Sequence, residues 1–345
     1  MDMGQPLAYR PPADWQRIAT IESHTGGEPF RIVVDGAEIP GETVLERRRY
    51  AQENLDDLRR ALMWEPRGHA DMYGAFIGAP TTPSSDISVL FMHNEGFSTM
   101  CGHGIIALTK VALETGLLPI TGDKTTIGID APAGQIMATA TVKDGVVDRV
   151  SFRNVPSFAV DLDNQVAVPD MGTIRYDLAF GGAFYAYVEA SSVGLDMSPN
   201  NASRFVQAGR TIKRAIMSSR EIQHPFEPDL GFLYAVIFTG PPQDPSNHSQ
   251  NVCVFADGEL DRSPTGTGVS GRLAILHARG EIEVDQPVPV ESIVGSVFTG
   301  RVAEITKFGQ YDAVIPEVEG TAYITGRSEY WFDPEDELGR GFFLR

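Results

Sequence analysis

Two stretches of the sequence have helical length and no polar face: GHGIIALTKVALETGLLP, which starts at Gly102, and TGVSGRLAILHARGEI, which starts near Thr267. A helix that is apolar all round has no side to turn to water, so other elements must enclose it. The first stretch stops at Gly116, with Pro119 beyond it, and the second stops at Gly280, the usual punctuation of a helix C-terminus. Between them lie short β-branched runs broken by Gly and Pro turns, such as RIVVDG, SDISVLFMHNEG, KTTIGIDAPAGQIMATATVKDGVVDRVSF and GFLYAVIFTG. These predict a hairpin-rich mixed sheet. The expected fold is therefore α/β, with a curled mixed sheet around each central helix and each helix N-terminus left open. A third helical stretch, TVLERRRYAQENLDDLRRALMWEP, differs in being charged on one face.

The two apolar helices also share an entrance. Cys101-Gly102-His103-Gly104 opens the first and Thr265-Gly266-Thr267-Gly268 the second. The match suggests two halves built on one plan, although Gly-rich strand-to-helix turns also recur by coincidence. A length of 345 residues allows two domains, and 42% apolar with 21% charged residues is a soluble globular composition. The expected division is 15–154 with 330–345 returning to it, and 155–329 as the second domain. PPQDPSNH, residues 241–248, reads as a loop within the second.

Composition narrows the function. A formal charge of −18 argues against a nucleic-acid partner and weakly favours a zwitterionic substrate over a strongly anionic one. No run reaches the roughly eighteen apolar residues of a membrane span, and the opening MDMGQPLAYRPPADWQR has no apolar stretch like a signal peptide's. The expected location is cytoplasmic, with no membrane partner. The two cysteines, Cys101 and Cys253, then have no reason to form a bridge.

A helix N-terminus offers unpaired N–H groups and partial positive charge, so it binds carboxylates and lowers the pKa of a cysteine placed there. Cys101 has that setting, the alternative being a small buried hydrophobe. Glycines 102, 104, 266 and 268 would let a ligand approach the backbone, so two facing turns would make a carboxylate clamp. Cys253, in the apolar run NVCVFA, reads as core. His103 is open between a capping or core residue and a functional one, and Asp261-Arg262 between a surface ion pair and a site. Gly266, Gly268 and Gly271 spell G-x-G-x-x-G, but DGELDRSP intervenes between strand and turn, against a nicotinamide or flavin cofactor. The seven histidines are scattered, with no HExxH and no zinc-spaced cysteines, and there is no G-x-S-x-G elbow. No cofactor and no metal are expected.

MCGHG and DRSPTGTG, each followed by an apolar helix, resemble the two signature segments of the proline racemase family. IESHTGGEPFRIV, GHADMYGAFIG and GGAFYAYVEA extend the likeness over nearly the whole chain. The resemblance implies the fold shared with diaminopimelate epimerase, an active site in the interdomain cleft, and cofactor-free chemistry at the Cα of an imino acid. It implies that the backbone at Gly102, His103, Gly266 and Thr267 holds the substrate carboxylate, and that Asp261, helped by His103, contacts the ring nitrogen. It is also compatible with a homodimer. Members that invert a stereocentre carry a second cysteine where this chain has Thr265. A threonine hydroxyl is far too weak an acid to exchange roles with a thiol near pKa 8.5. One cysteine and one threonine is the pattern of the family's trans-3-hydroxy-L-proline dehydratases, with Cys101 as base and Thr265 closing the other face. A 4-hydroxyproline or proline epimerase is the alternative.

Overall fold

The computed structural model describes residues 10–344. Residues 1–9, on which part of the reading of the opening segment rests, lie outside the described residues, as does Arg345.

The first run of strands is β1 (Gln16–Thr25), β2 (Glu28–Asp35), β3 (Tyr73–Gly78), β4 (Ile87–His93), β5 (Lys124–Ala131), β6 (Gly134–Lys143) and β7 (Val146–Arg153). Helices α1 (Val44–Asn54) and α2 (Asp56–Met63) lie between β2 and β3, and α3 (Gly102–Glu114) lies between β4 and β5. The second run is β8 (Phe158–Val168), β9 (Gly172–Phe180), β10 (Phe184–Glu189), β11 (Leu233–Gly240), β12 (Ser249–Phe255), the two-residue β13 (Glu259–Leu260), β14 (Val288–Glu291), β15 (Val297–Phe308) and β16 (Tyr311–Gly320). Here α4 (Ala202–Ser219) lies between β10 and β11, and α5 (Gly266–Ala278) between β13 and β14. The last strand is β17 (Ala322–Phe332).

Hydrogen bonding orders these strands as β17-β1-β2-β3-β4-β5-β6-β7 and β8-β9-β10-β11-β12-β14-β15-β16, joined where β7 pairs with β16. Taken from β17 and from β8, the two runs repeat one pattern: antiparallel, antiparallel, parallel, antiparallel, parallel, antiparallel, antiparallel. The second parallel step is, in both, the crossover that carries the apolar helix. The two glycine turns thus stand at equivalent places in a duplicated architecture, as their matching spelling suggests.

Each helix is enclosed as its composition demands. Helix α3 packs against β1, β2, β6, β7, β16 and β17, and every residue from Gly102 to Leu113 is buried. Its one lysine is accommodated because the Lys110 Nζ donates to the Val147 carbonyl at 2.6 Å and to Glu114 at 2.8 Å. Helix α5 packs against β8, β9, β10, β15 and β16. Among the described residues, no helix is long and apolar enough to cross a membrane.

Two details depart from the sequence reading. The charged helical stretch is two helices, because Leu55 leaves helical geometry (φ −121°, ψ 12°) and Asp56 and Asp57 begin a new first turn. Helix α4 is not singled out by its sequence, ASRFVQAGRTIKRAIMSS, since a glycine interrupts it. That glycine is a packing requirement: a Cβ on Gly209 would lie 2.6 Å from the Val254 side chain of β12.

Candidate active site

The N-termini of α3 and α5 meet head to head. A Cβ added to Gly102 would lie 2.5 Å from the Gly266 Cα, and one added to Gly266 would lie 2.8 Å from the Gly102 Cα. Only glycine lets two helix starts come this close. The first amides of a helix have no intrahelical acceptor, so Gly102 and His103 from one half and Gly266 and Thr267 from the other converge with partial positive charge. Bringing two such ends together is unfavourable by itself. It becomes favourable around an anion.

Beside this junction is a small cavity, shared by the two halves and lined by Cys101, His103, Tyr73, Asp261, Thr265, Tyr185, Tyr234, Cys253 and Phe255 as well as the glycine turns. The cavity holds about 20 Å³, room for one water. Sequence reasoning places Cys101, Gly102, His103, Asp261, Gly266, Thr265 and Thr267 together here, and the structure brings all seven to this one cavity.

Cys101 is the N-cap of α3, its Sγ accepting a hydrogen bond from the Gly104 amide at 3.3 Å. It also lies 3.2 Å from Nδ1 of His103, and Tyr73 lines the same cavity. The expectation that the helix start makes Cys101 a ready thiolate needs correction. Burial pushes the thiol well above its ordinary value, and the charges of Asp261 and Glu28 push the same way, against the lowering by the Gly104 amide. His103 is buried and held neutral, its pKa pushed down to about 3. The resting pair is thiol and imidazole.

On the facing side, Thr265 donates its hydroxyl hydrogen to Asp261 Oδ2 at 2.7 Å, while the Ser263 amide donates to Oδ1 at 2.7 Å. Thr265 sits at φ 66°, ψ 94°, a left-handed conformation that strains a β-branched residue. Asp261 is 4% exposed, and burial raises its pKa from 3.8 to about 6 despite these donors. Arg262, the other half of the doublet, ties the halves together: its amide donates to Glu28 Oε2 at 2.7 Å and its guanidinium bonds Asp71 Oδ2 at 2.8 Å.

The raised Asp261 carboxyl has a thermodynamic consequence. The folded state holds this proton more tightly than the unfolded state does, so its contribution is present below about pH 4 and is lost as pH rises through about 6, a swing of about 3 kcal/mol. Asp261→Asn should flatten that part of the pH dependence of urea unfolding. An unchanged slope between about pH 4 and 7 would place the titration elsewhere.

Six wall residues are not singled out as site residues by the sequence: Met100, Phe255, Cys253 and three tyrosines. Cys253, read as core, is buried in the hydrophobic core and also forms part of the cavity wall. Tyr73, Tyr185 and Tyr234 come from separate strands. Tyr185 pairs with the Thr267 hydroxyl at 2.6 Å, which fixes the start of α5. Tyr73, in GHADMYGAFIG, and Tyr185, in GGAFYAYVEA, lie in segments that carry the family resemblance, whereas GFLYAVIFTG marks Tyr234 only as part of a strand.

Comparison with known proteins adds three likenesses and a family. The family described as Proline racemase matches residues 20–343. The chain is 50% identical over 329 residues to a protein of Colwellia psychrerythraea named trans-3-hydroxy-L-proline dehydratase, covering 95% of this chain and 93% of that one. It is 45% identical over 329 residues to a protein of Burkholderia multivorans named 3-hydroxyproline 2-epimerase, covering 95% and 98%. A crystal structure of a hydroxyproline epimerase from Agrobacterium vitis with bound trans-4-hydroxy-L-proline superposes with a TM-score of 0.92 at 32% identity, covering 96% of each chain.

Proposed function

Since this chain belongs to the proline racemase family, we propose that it is a hydro-lyase that dehydrates trans-3-hydroxy-L-proline to Δ1-pyrroline-2-carboxylate without a cofactor. The observation that carries this reading is Thr265 opposite Cys101: the cavity has one thiol at a helix start and, at the equivalent helix start, a hydroxyl already committed to Asp261. The name and 50% identity of the Colwellia relative support it.

The substrate carboxylate sits at the junction of α3 and α5, on the amides of Gly102, His103, Gly266 and Thr267. Asp261 and His103 take the ring nitrogen. A cationic nitrogen beside Cys101 and Asp261 offsets the burial that keeps the thiol neutral, so binding itself favours the thiolate. Cys101 removes the Cα proton, and the converging amides stabilise the enolate-like charge that spreads into the carboxylate. In the trans isomer the 3-hydroxyl is on the same ring face as the Cα hydrogen. Elimination is therefore syn, and the proton taken by Cys101 is on the correct side to leave with the hydroxide as water. Thr265 closes the opposite face. The enamine product tautomerises to the pyrroline.

A hydroxyproline epimerase is the second reading, favoured by the Burkholderia and Agrobacterium likenesses. Purified protein incubated with trans-3-hydroxy-L-proline, trans-4-hydroxy-L-proline and L-proline separates the two. Dehydration gives an o-aminobenzaldehyde adduct of the pyrroline from the 3-hydroxy compound alone; inversion gives a polarimetric change and no adduct. The proposal also includes the two-domain division at 15–154 and 155–329, with the return to the first domain moved forward from 330 to the start of β17, since Ala322 onward pairs with β1. It further includes a cytoplasmic location and a homodimer, which light scattering on the eluted peak decides.

A further inference from the structure

We propose that Tyr73 is a catalytic residue of this site, passing the proton from Cys101 to the departing 3-hydroxyl. The inference deepens the dehydratase reading and rests on it. Three hydroxyls cluster at one end of the cavity: Tyr73 Oη is 2.5 Å from Ser98 Oγ and 3.2 Å from Tyr234 Oη. All three residues are buried. Tyr73 lines the same small cavity as Cys101, and its ring packs edge-on against the His103 imidazole at 4.9 Å between centroids.

Position selects Tyr73 for the leaving group. It belongs to β3, in the half that supplies Cys101, and its bond to Ser98, three residues before Cys101, holds its oxygen on the Cys101 side of the cavity. That is the side to which a trans 3-hydroxyl points. A departing hydroxide needs its proton as the C–O bond breaks. Sγ already faces Gly104 and His103, and the Tyr73 phenol in the same cavity offers the proton a route from the thiol to the leaving oxygen.

The step balances. The Cα–H bond breaks and its proton goes to Sγ; the electron pair forms the Cα–Cβ double bond; the C3–O bond breaks, and the oxygen takes the Tyr73 proton while Oη recovers one from Sγ. Water leaves and the enzyme is unchanged. Burial holds the Tyr73 phenol well above its ordinary value, so the two transfers coincide rather than leave a free phenolate. Ser98 and Tyr234 both lower that pKa by hydrogen bonding, which is what donors to Oη do when charge gathers there in the transition state.

The test compares wild type with Tyr73→Phe in D₂O, using trans-3-hydroxy-L-proline and following both pyrroline release and Cα deuteration of recovered substrate. In Tyr73→Phe, water loss should fall about 100-fold while deuteration of recovered substrate outruns it, because Cys101 still works and the leaving group is stranded. Ser98→Ala, which keeps the phenol and loses one donor to it, should fall about tenfold with the same signature. Dehydration by Tyr73→Phe within threefold of wild type would mean that Cys101 returns the proton directly. Equal loss of deuteration and dehydration, with an unchanged melting temperature, would assign Tyr73 to the thiol or the fold and overturn the relay. A wild type that releases no pyrroline overturns the dehydratase reading itself, and the relay with it.

Discussion

Cys101→Ser should leave a folded, substrate-binding protein whose kcat/KM is reduced by about 10³- to 10⁴-fold. The fold should survive because Cys101 is an N-cap whose side chain accepts the Gly104 amide, and serine is among the best residues for that role. Binding should survive because the proposed carboxylate cradle consists of backbone amides from both halves. What is lost is an acid weak enough to hold a proton and strong enough to give it up. Substrate should still raise the melting temperature of the variant, while pyrroline formation all but stops. Retention of more than about a tenth of the activity would remove Cys101 as the base. The thiol also sets the pH profile of the wild type. Since burial raises its pKa, kcat/KM should climb with pH until the thiol ionises and fall as pH drops, with no acidic optimum.

The contrast between Cys101 and Tyr73 shows what a sequence of this kind discloses. Cys101, Gly102, His103, Asp261, Thr265, Gly266 and Thr267 are legible because each belongs to a turn whose spelling has a local physical meaning: a cap, a small residue, an apolar helix behind it. Two all-apolar helices also force an enclosing sheet, and the repeat of pairings from β17 and from β8 is that enclosure built twice. Tyr73, Tyr234 and Cys253 are not legible. Each lies in an apolar strand where its neighbours along the chain say only that it is buried, and its chemistry comes from strands far away in sequence. The charge state of Cys101 is hidden for a related reason. A helix start predicts a lowered pKa from local geometry, whereas the raised value comes from burial between two halves and from Asp261 and Glu28, which lie 160 and 73 positions away in the chain.

On the dehydratase reading, Thr265→Cys should create Cα inversion. The substitution places a second thiol at the start of α5, the position equivalent to Cys101, and gives each face of the substrate a group that can both take and return a proton at neutral pH. Inversion of L-proline or trans-4-hydroxy-L-proline, followed by polarimetry, should rise at least about 100-fold above the wild-type background. Dehydration of the 3-hydroxy substrate should fall, since reprotonation from the new face competes with departure of the hydroxide. The backbone favours the exchange: at φ 66° the branched side chain is strained, and losing the branch should recover about 1 kcal/mol of stability. One cost follows from the hydrogen bonds. Asp261 loses the Thr265 hydroxyl as a donor, so its pKa should move further up, which weakens its hold on the ring nitrogen at low pH. If the variant gains thermal stability but inverts nothing, residue 265 does not face the reacting carbon. Cys253, which lines the same cavity, would then be the next group to change.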